Sequence, residues 1–401
     1  MDFNFSAQDE AFREEFRSWL HANLPKAGKA QDAGDSMREE TSEGSPDEWK
    51  RRVEWHKKMH AGGWVGISWP KEYGGRGATP TQQIIYNEEL AKVDSPVLVN
   101  GLGIMLAGPT IIHWGSEEQK KRHVPKILSA DELWCQGYSE PDAGSDVASL
   151  KTRAVEEGDY FIVNGQKVWT TIAHRSDFVQ LFVRTDPDLP KHKGMSALLV
   201  DMKSPGVSVR PLKQITGDSE FNEIFFEDVR VPKENLLGPL NMGWQVLVAT
   251  LMHERFGIGE TLGGTEQLLH ALVQIAKAVN INGRPAIEDN DIRQQIAQFA
   301  IETTAKKYNG LRSLSKRLKG QQPGPEASIS KLLSTDLGQR MTKFITRLLG
   351  EYALLERHTP FAPEGDWMRR ILGSEGITIA GGTSPVQKNM IGERILLLPK
   401  G

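Results

Sequence analysis

The chain has 401 residues, more than one ordinary core spans, so two or three packed regions are expected. A formal net charge of −3 excludes the basic surplus of a nucleic-acid binder. The single cysteine, Cys135, excludes an internal disulfide and fits a reducing compartment; a buried structural role suits it better than a catalytic thiol.

The first residues carry acids where a signal peptide needs positive charge and an apolar run, so a soluble, cytoplasmic protein is expected. The longest apolar stretch, around Trp244 to Leu251, is too short to span a bilayer. Asp9 and Glu10 open a first helix, with Phe12, Phe16, Trp19 and Leu20 at helical spacing. Residues 27–46 are polar and rich in Gly, Ser and Asp, which reads as a surface loop. Helical patterning resumes at Trp49 and again at Pro80, where Thr79 is the expected N-cap. The period then changes. Residues 160–169 read as two β-prone runs turning at Asn164-Gly165, the strongest short hairpin signal. Residues 178–183, 196–200 and 223–226 continue as strands of a barrel or sandwich. A long apolar-faced helix is expected from Met242 to Val279, broken by Asn-Ile-Asn-Gly-Arg-Pro at 280–285 and followed by a second break at 320–325. The expected class is therefore α+β. It has a helical N-terminal domain (1–130), a middle β-barrel or sandwich domain (131–236) and a C-terminal helical bundle (237–401).

Four segments could carry chemistry. Leu247, Leu251, Glu254, Ile258 and Leu262 fall on one helical stripe, which places a carboxylate among apolar side chains. Burial raises a carboxyl pKa, and a Glu tuned upward suits a general base at neutral pH. An ion pair with Arg255 would account for Glu254 equally well. His253 points about 100° away on the helix. Tyr-Ser-Glu-Pro-Asp-Ala-Gly-Ser-Asp at 138–146 exposes backbone N–H groups and hydroxyls suited to phosphates or ring edges, or is an ordinary turn. Lys-Val-Trp-Thr-Thr at 167–171 ends in an aromatic and two hydroxyls, and Trp169 is either a ligand platform or a core side chain. Ala-Gly-Gly-Thr-Ser at 380–384 allows close backbone approach to a ligand, or is a helix C-cap and turn. No metal-binding spacing, Gly-x-Gly-x-x-Gly or Walker loop is present.

Taken together and in order, five segments identify the chain as similar to the acyl-CoA dehydrogenase family over essentially its whole length. They are Gly-Gly-Trp-Val-Gly-Ile-Ser-Trp-Pro-Lys-Glu-Tyr-Gly-Gly-Arg-Gly at 62–77, the 138–146 loop, Asn-Gly-Gln-Lys-Val-Trp-Thr-Thr at 164–171, Phe-Glu-Asp-Val-Arg-Val-Pro at 226–232, and the stretch from Ala380 to Leu396. The resemblance implies the three-part fold above, FAD, an acyl-CoA substrate and an electron-transfer flavoprotein as oxidant. It places Gln136, Tyr138 and Ser139 along the flavin edge and Ser145 at the acyl-CoA or the flavin phosphates. Trp169 and Thr171 would cover the ring, and Thr383 and Gln387 form a second stretch around FAD. Arg255, Gly381 and Gly382 border the substrate. Many members carry the base in a Tyr-Glu-Gly-Thr motif; here the segment reads Ala380-Gly381-Gly382-Thr383. A subset places the base as Glu before Arg on the long C-terminal helix, which Glu254-Arg255 matches. The usual Arg-x-x-Phe-Gly segment that reaches a neighbouring subunit's FAD is absent, and Arg284 is the nearest candidate. Arg347 stands where a Gln usually opens a Gln-x-x-Gly-Gly segment.

The mechanism implied is removal of the thioester α-proton by Glu254, with backbone N–H groups near Gly381-Gly382 bonding the thioester oxygen and a β-hydride passing to the flavin. An acyl group that is branched or ring-bearing is expected, because Gly381 leaves volume where the usual base would stand; a long straight chain is the alternative, because long-chain-type members share the Glu254 position. A homodimer or homotetramer is expected, with a heterotetramer as the other arrangement. An oxidase of the same fold, or one subunit of a heteromeric acyl-CoA dehydrogenase, are the alternatives.

Overall fold

The structure is a computed structural model that describes residues 5–25, 46–260, 263–319, 324–355 and 367–399; the side chains of 253–260, 263 and 317 lie outside the description. The loop expected over 27–46 and most of the break at 320–325 fall outside it as well.

The N-terminal part is helical: α1 (Ala7–Asn23), α2 (Pro46–Ala61), α3 (Pro80–Leu90), a short π-helical turn (Gly103–Ala107), α4 (Gly108–Trp114) and α5 (Glu117–Ser129). Its starts are those that local chemistry favours. Ser6 caps α1, and Thr79 caps α3 in a full capping box with Gln82 and Pro80 inside the first turn. Phe12, Phe16 and Leu20 of α1 are buried, and Phe16 stacks on Tyr86 and leans on Trp64.

The middle part is one eight-stranded sheet: β1 (Trp134–Gly137), β2 (Arg153–Glu157), β3 (Tyr160–Thr171), β4 (Phe178–Arg184), β5 (Met195–Asp201), β6 (Val207–Leu212), β7 (Phe221–Pro232) and β8 (Leu236–Leu237). The order runs β6-β7-β3-β2-β4-β5-β8, with β1 pairing in parallel on β4. One face wraps a single core built from Cys135, Phe161, Val163, Leu181, Leu198, Ile224, Phe226 and Val231. Cys135 is buried there and its thiol is pushed up to about 12 by burial, which removes it from thiolate chemistry. The other face of β1, β4 and β5 offers Trp134, Phe178, Phe182, Ala197 and Leu199 to the N-terminal helices.

The hairpin expected at Asn164-Gly165 does not form. β3 runs straight through it, and the chain turns earlier, at Gly158-Asp159, where Glu157 pairs with Tyr160. Gly165 instead marks a bulge against β7, where a Cβ would stand 2.5 Å from the Thr152 hydroxyl.

The C-terminal part is helical: α6 (Gly243–Glu260), α7 (Gly263–Ala278), α8 (Asn290–Leu318), α9 (Ala327–Leu349), α10 (Trp367–Ile377) and α11 (Ser384–Arg394). The single helix expected over Met242 to Val279 is two, on either side of residues 261–262, which lie outside the description. Between α7 and α8, Asn282-Gly283 makes a small hairpin of β9 (Asn280–Ile281) and β10 (Arg284–Pro285). A third core joins α7, α8, α9 and α10 through Leu272, Phe299, Met341, Ile345 and Trp367. No helix among the described residues is long and apolar enough to cross a membrane.

Candidate active site

The 138–146 loop is tied to the end of β3 by a buried charge pair. Glu140 accepts from the backbone N–H groups of Lys151 and Thr152, and its Oε1 lies 2.8 Å from the Lys167 ammonium. Lys167 also donates to the Tyr138 carbonyl, and the Val168 N–H donates to the Ser139 carbonyl. Burial pushes the Lys167 ammonium down to about 8, with Glu140 opposing the shift. Burial alone would raise Glu140; Lys167 and the loop donors outweigh it and hold the carboxylate below its ordinary range. The pair is therefore charged at neutral pH. Tyr138 packs edge-on to Phe182.

Two residues beyond Lys167 the strand does something unusual. The pairing of β3 with β7 shifts between Lys167 and Thr170, and Trp169 in that bulge has φ +60°. A bulky residue in left-handed backbone is strained and persists only where surrounding bonds over-determine it. Here they do: the Asn222 amide donates to the Thr170 carbonyl, and the Ile172 N–H donates to the Glu220 carbonyl at 2.7 Å. The result is an indole that is 59 % exposed, touching Phe221 edge-on. Trp169 is thus not a core side chain. Thr171 is half-buried beside it, and the buried Thr170 hydroxyl has no partner among the described residues.

The third segment follows α10. Gly381 (φ +65°) and Gly382 (φ +92°) make a left-handed turn into Thr383, whose hydroxyl accepts from the Val386 N–H and starts α11. The Gln387 amide, fully buried, donates to the carbonyls of Gly381 and Gly382 at 3.0 and 3.2 Å. Gln387 therefore spends its donors on the turn, holding it from inside; only its Oε1 is left without a partner among the described residues. Lys331 of α9, also buried, donates to the Thr378 carbonyl at the end of α10. A cation there satisfies a helix C-terminus.

At the seam of helices and sheet, a polar thread runs through buried ground. The Gln180 amide of β4 donates to the Thr250 hydroxyl of α6, which meets the Thr110 hydroxyl of α4 at 3.0 Å. Thr110 donates on to Leu106, and the single Thr250 proton is shared between the Thr110 oxygen and the Val246 carbonyl. Gln136 pairs in register with Gln180, and the side-chain Oε1 atoms of both are buried without a partner among the described residues. Glu254 lies one turn beyond Thr250 on α6; its side chain, like those of His253 and Arg255, lies outside the described residues.

The structure thus gathers Tyr138 and Ser139 at Lys167, with Gln136 beside Gln180 on β4, and it holds Trp169 and Thr171 at the end of β3 and Gly381 to Gln387 in one turn. Ser145 is exposed on its loop. Arg284 stands exposed on the β9–β10 hairpin, away from these segments in the chain's own contacts. Glu140, Gln180, Thr250, Lys331 and the acidic loop before β7 are site neighbours that the sequence reading missed. Glu140 and Lys167 were both inside motifs it quoted; their pairing was the missing piece.

An exposed, strained indole is poorly explained by packing and well explained by a planar heteroaromatic ring laid on it. The Gly381-Gly382 turn supplies the close backbone approach such a ligand needs. Models of the acyl-CoA dehydrogenase N-terminal, middle and C-terminal domains match residues 6–131, 135–229 and 241–396. The chain belongs to the acyl-CoA dehydrogenase family. Acyl-CoA dehydrogenase IpdE1 of Mycobacterium tuberculosis is 36% identical over 398 residues, with 98% of each chain covered. Among solved structures, the Tcur3481-Tcur3483 steroid ACAD matches with a TM-score of 0.85 at 30% identity, covering 100% of both chains. The ChsE4-ChsE5 complex from Mycobacterium tuberculosis matches with a TM-score of 0.81 at 29% identity, again covering both chains fully. The protein is an acyl-CoA dehydrogenase, and its cofactor is FAD.

Proposed function

We propose that this acyl-CoA dehydrogenase removes the α-proton of a bulky, ring-bearing acyl-CoA with Glu254, and that its electrons leave to an electron-transfer flavoprotein. The carrying observation is the Gly381-Gly382 turn. Where many family members place the base there is no side chain, so a carboxylate must come from elsewhere, and the first long C-terminal helix bears one at Glu254. The same missing side chain leaves room beside the Cα–Cβ bond for a branched or cyclic group. The relative titled a steroid ACAD supports that reading; a long straight chain is the competing one.

In this reading Trp169 and Thr171 face the isoalloxazine, with Gln136, Tyr138 and Ser139 along its edge. Ser145 reaches phosphate or acyl-CoA, and Arg255 and Gly381 border the substrate. When bound, FAD supplies the acceptor for the β-hydride. The chain itself holds the thioester. Gln387 ties back the Gly381 and Gly382 carbonyls, and the N–H groups of that turn are offered to the developing oxyanion. One such preorganised donor is worth about 2.7–4 kcal/mol. Glu254 follows Thr250 by one turn of α6. We divide the chain into domains at 1–130, 131–236 and 237–401.

The test is Glu254→Gln in the holoprotein. Flavin bleaching on adding acyl-CoA should slow about 10²–10⁴-fold while FAD stays bound. Bleaching at the wild-type rate would remove Glu254 from the mechanism. Across straight-chain, α-methyl and cyclic acyl-CoAs, kcat/KM should favour the bulky groups by roughly 10–200-fold. Palmitoyl-CoA winning by that margin would leave the long-chain reading.

A second reading is favoured by two structural relatives, the Tcur3481-Tcur3483 steroid ACAD and the ChsE4-ChsE5 complex, each named for two components. The chain is then one subunit of a heteromeric enzyme, and the partner supplies the FAD contact that Arg284 was expected to make. Light scattering of the protein expressed alone separates the two: a homodimer or homotetramer that retains FAD excludes the heteromer.

A further inference from the structure

The eight residues between β6 and β7 form a loop that touches the Trp169 rim of the proposed flavin site and packs along α10, the helix that leads into the other rim. Its downstream end is knitted to the Trp169 rim: the Glu220 carbonyl accepts from the N–H of Ile172 and the amide of Asn222, and Phe221 meets the Trp169 indole. Its middle lies along α10. Thr216 packs beside Gly373, and the Asp218 carboxylate forms an ion pair with the Arg369 guanidinium. Glu220, four per cent exposed, lies within the field of both Asp218 and Arg369. One of its carboxyl oxygens, Oε2, has no hydrogen-bond partner among the described residues. The loop is internally braced, with the Gln214 N–H on the Asp218 carbonyl and Gly217 (φ +88°) completing the turn.

The far end of α10 leads directly into the other rim. Its last carbonyl region is held by Lys331, and three residues later the Gly381-Gly382 turn begins, locked by Gln387. The two rims belong to different layers, one the end of an inner strand and the other a helix end. Within the described residues, the Asp218–Arg369 pair is the ionic contact that ties this loop to α10.

We propose that Arg369 is a positioning residue: through Asp218 and the adjoining Glu220 it sets the spacing between the Trp169 rim and the Gly381-Gly382 turn, and so sets how tightly the flavin is gripped. The proposal rests on the reading that those two segments both contact FAD. A tie made only for stability would not need to join these two elements, and it would not need two carboxylates on one arginine. Asp218 pairs with Arg369 and the buried Glu220 lies in the field of both, so the loop's position against α10 depends on Arg369.

The experiment uses the holoprotein. Arg369→Met, Asp218→Asn, the double variant and Arg369→Lys are compared for the rate of FAD release on dilution, read as the rise in free-flavin fluorescence, and for thermal midpoint. Each of the first two variants should release FAD about tenfold faster. The double variant should be no worse than the poorer single, the signature of coupled residues. Arg369→Lys should recover most of the loss. Midpoints well above the assay temperature keep folding out of the comparison, and if Arg369→Met does not fold, Asp218→Asn decides. Unchanged release with a lowered midpoint would make the pair a structural tie only and overturn the proposal, as would strictly additive effects. A wild-type protein that binds no FAD would overturn the flavin reading itself; one that binds FAD but is insensitive to these variants overturns the clamp alone.

Discussion

Lys167 and Glu140 meet at 2.8 Å with side-chain exposures of 0 % and 6 %, so a strand residue and a loop residue share one buried ion pair. The contact decides where the whole 138–146 loop sits, because Glu140 also takes two loop N–H groups and Lys167 also takes the Tyr138 carbonyl.

Removing one partner should therefore be costly. Lys167→Met leaves Glu140 buried without its cation, and loss of about 3–5 kcal/mol is expected. Converting both, Glu140→Gln with Lys167→Met, should recover most of that. Denaturant unfolding of the three proteins checks it; a single variant within about 1 kcal/mol of wild type would contradict the assignment.

Trp169 should separate stability from ligand grip. Its left-handed backbone stores about 1–3 kcal/mol, and its indole is mostly outside the core. Trp169→Gly relieves that strain at an entropic cost of roughly 0.5–1 kcal/mol. The apoprotein should unfold at the same denaturant concentration or a higher one, while FAD is released faster. A large loss of apoprotein stability would mean that the indole is structural after all.

Glu220 gives a pH signature. Burial, with Asp218 adding to it, raises its carboxyl above the ordinary value of 4.5. A carboxyl with a raised folded pKa contributes stability below its unfolded pKa and loses it as pH rises toward the folded one. Glu220→Gln should therefore match wild type near pH 4 and unfold at a higher temperature than wild type at pH 7. Melting curves across that interval check the sign; an advantage for the wild type at pH 7 would show that an ionised Glu220 is supported in the fold.

Gly382 and Gly264 make a matched pair of substitutions. A Cβ at Gly382 would stand 2.6 Å from the Gln387 amide nitrogen, at φ +92°. A Cβ at Gly264, inside α7, would meet nothing within 4 Å. Gly382→Ala should lose about 1–3 kcal/mol and weaken FAD retention. Gly264→Ala should gain about 0.5–1 kcal/mol. Equal effects at both sites would mean that the turn is free to rearrange.

The order of helix and strand was legible because it rests on local chemistry: Thr79 and Pro80 start a helix, and the short β-prone apolar run at 178–183 forms a strand buried on both faces. The two Asn-Gly dipeptides show where that stops. At 282–283 the flanking runs are only two residues long and the dipeptide turns the chain. At 164–165 the strand has a partner on each side, β2 and β7, and pairing along its length outweighs the local turn preference. The site was legible as motifs, since Trp169, Gly381 and Thr383 stand in contiguous segments. The partners that fix those motifs were not. Asp218 with Arg369, Lys331 with Thr378 and Gln180 with Thr250 join residues far apart in the chain, and no period or spacing announces them. Gln387 was read as a cofactor contact; the structure adds that its amide also donates to the Gly381 and Gly382 carbonyls, which no spacing announces.

The thread of Thr110, Thr250 and Gln180 has a mechanical consequence. It crosses from an N-terminal helix through α6 to the central sheet, with the Thr110 proton committed to the Leu106 carbonyl and the Gln180 amide donating to Thr250. Sliding β4 along α6 would strand the buried Gln180 amide donor, so those two elements move together at the seam. At the other end of the sheet, the proposed clamp leaves α10 tied to the loop before β7 through the Asp218–Arg369 pair.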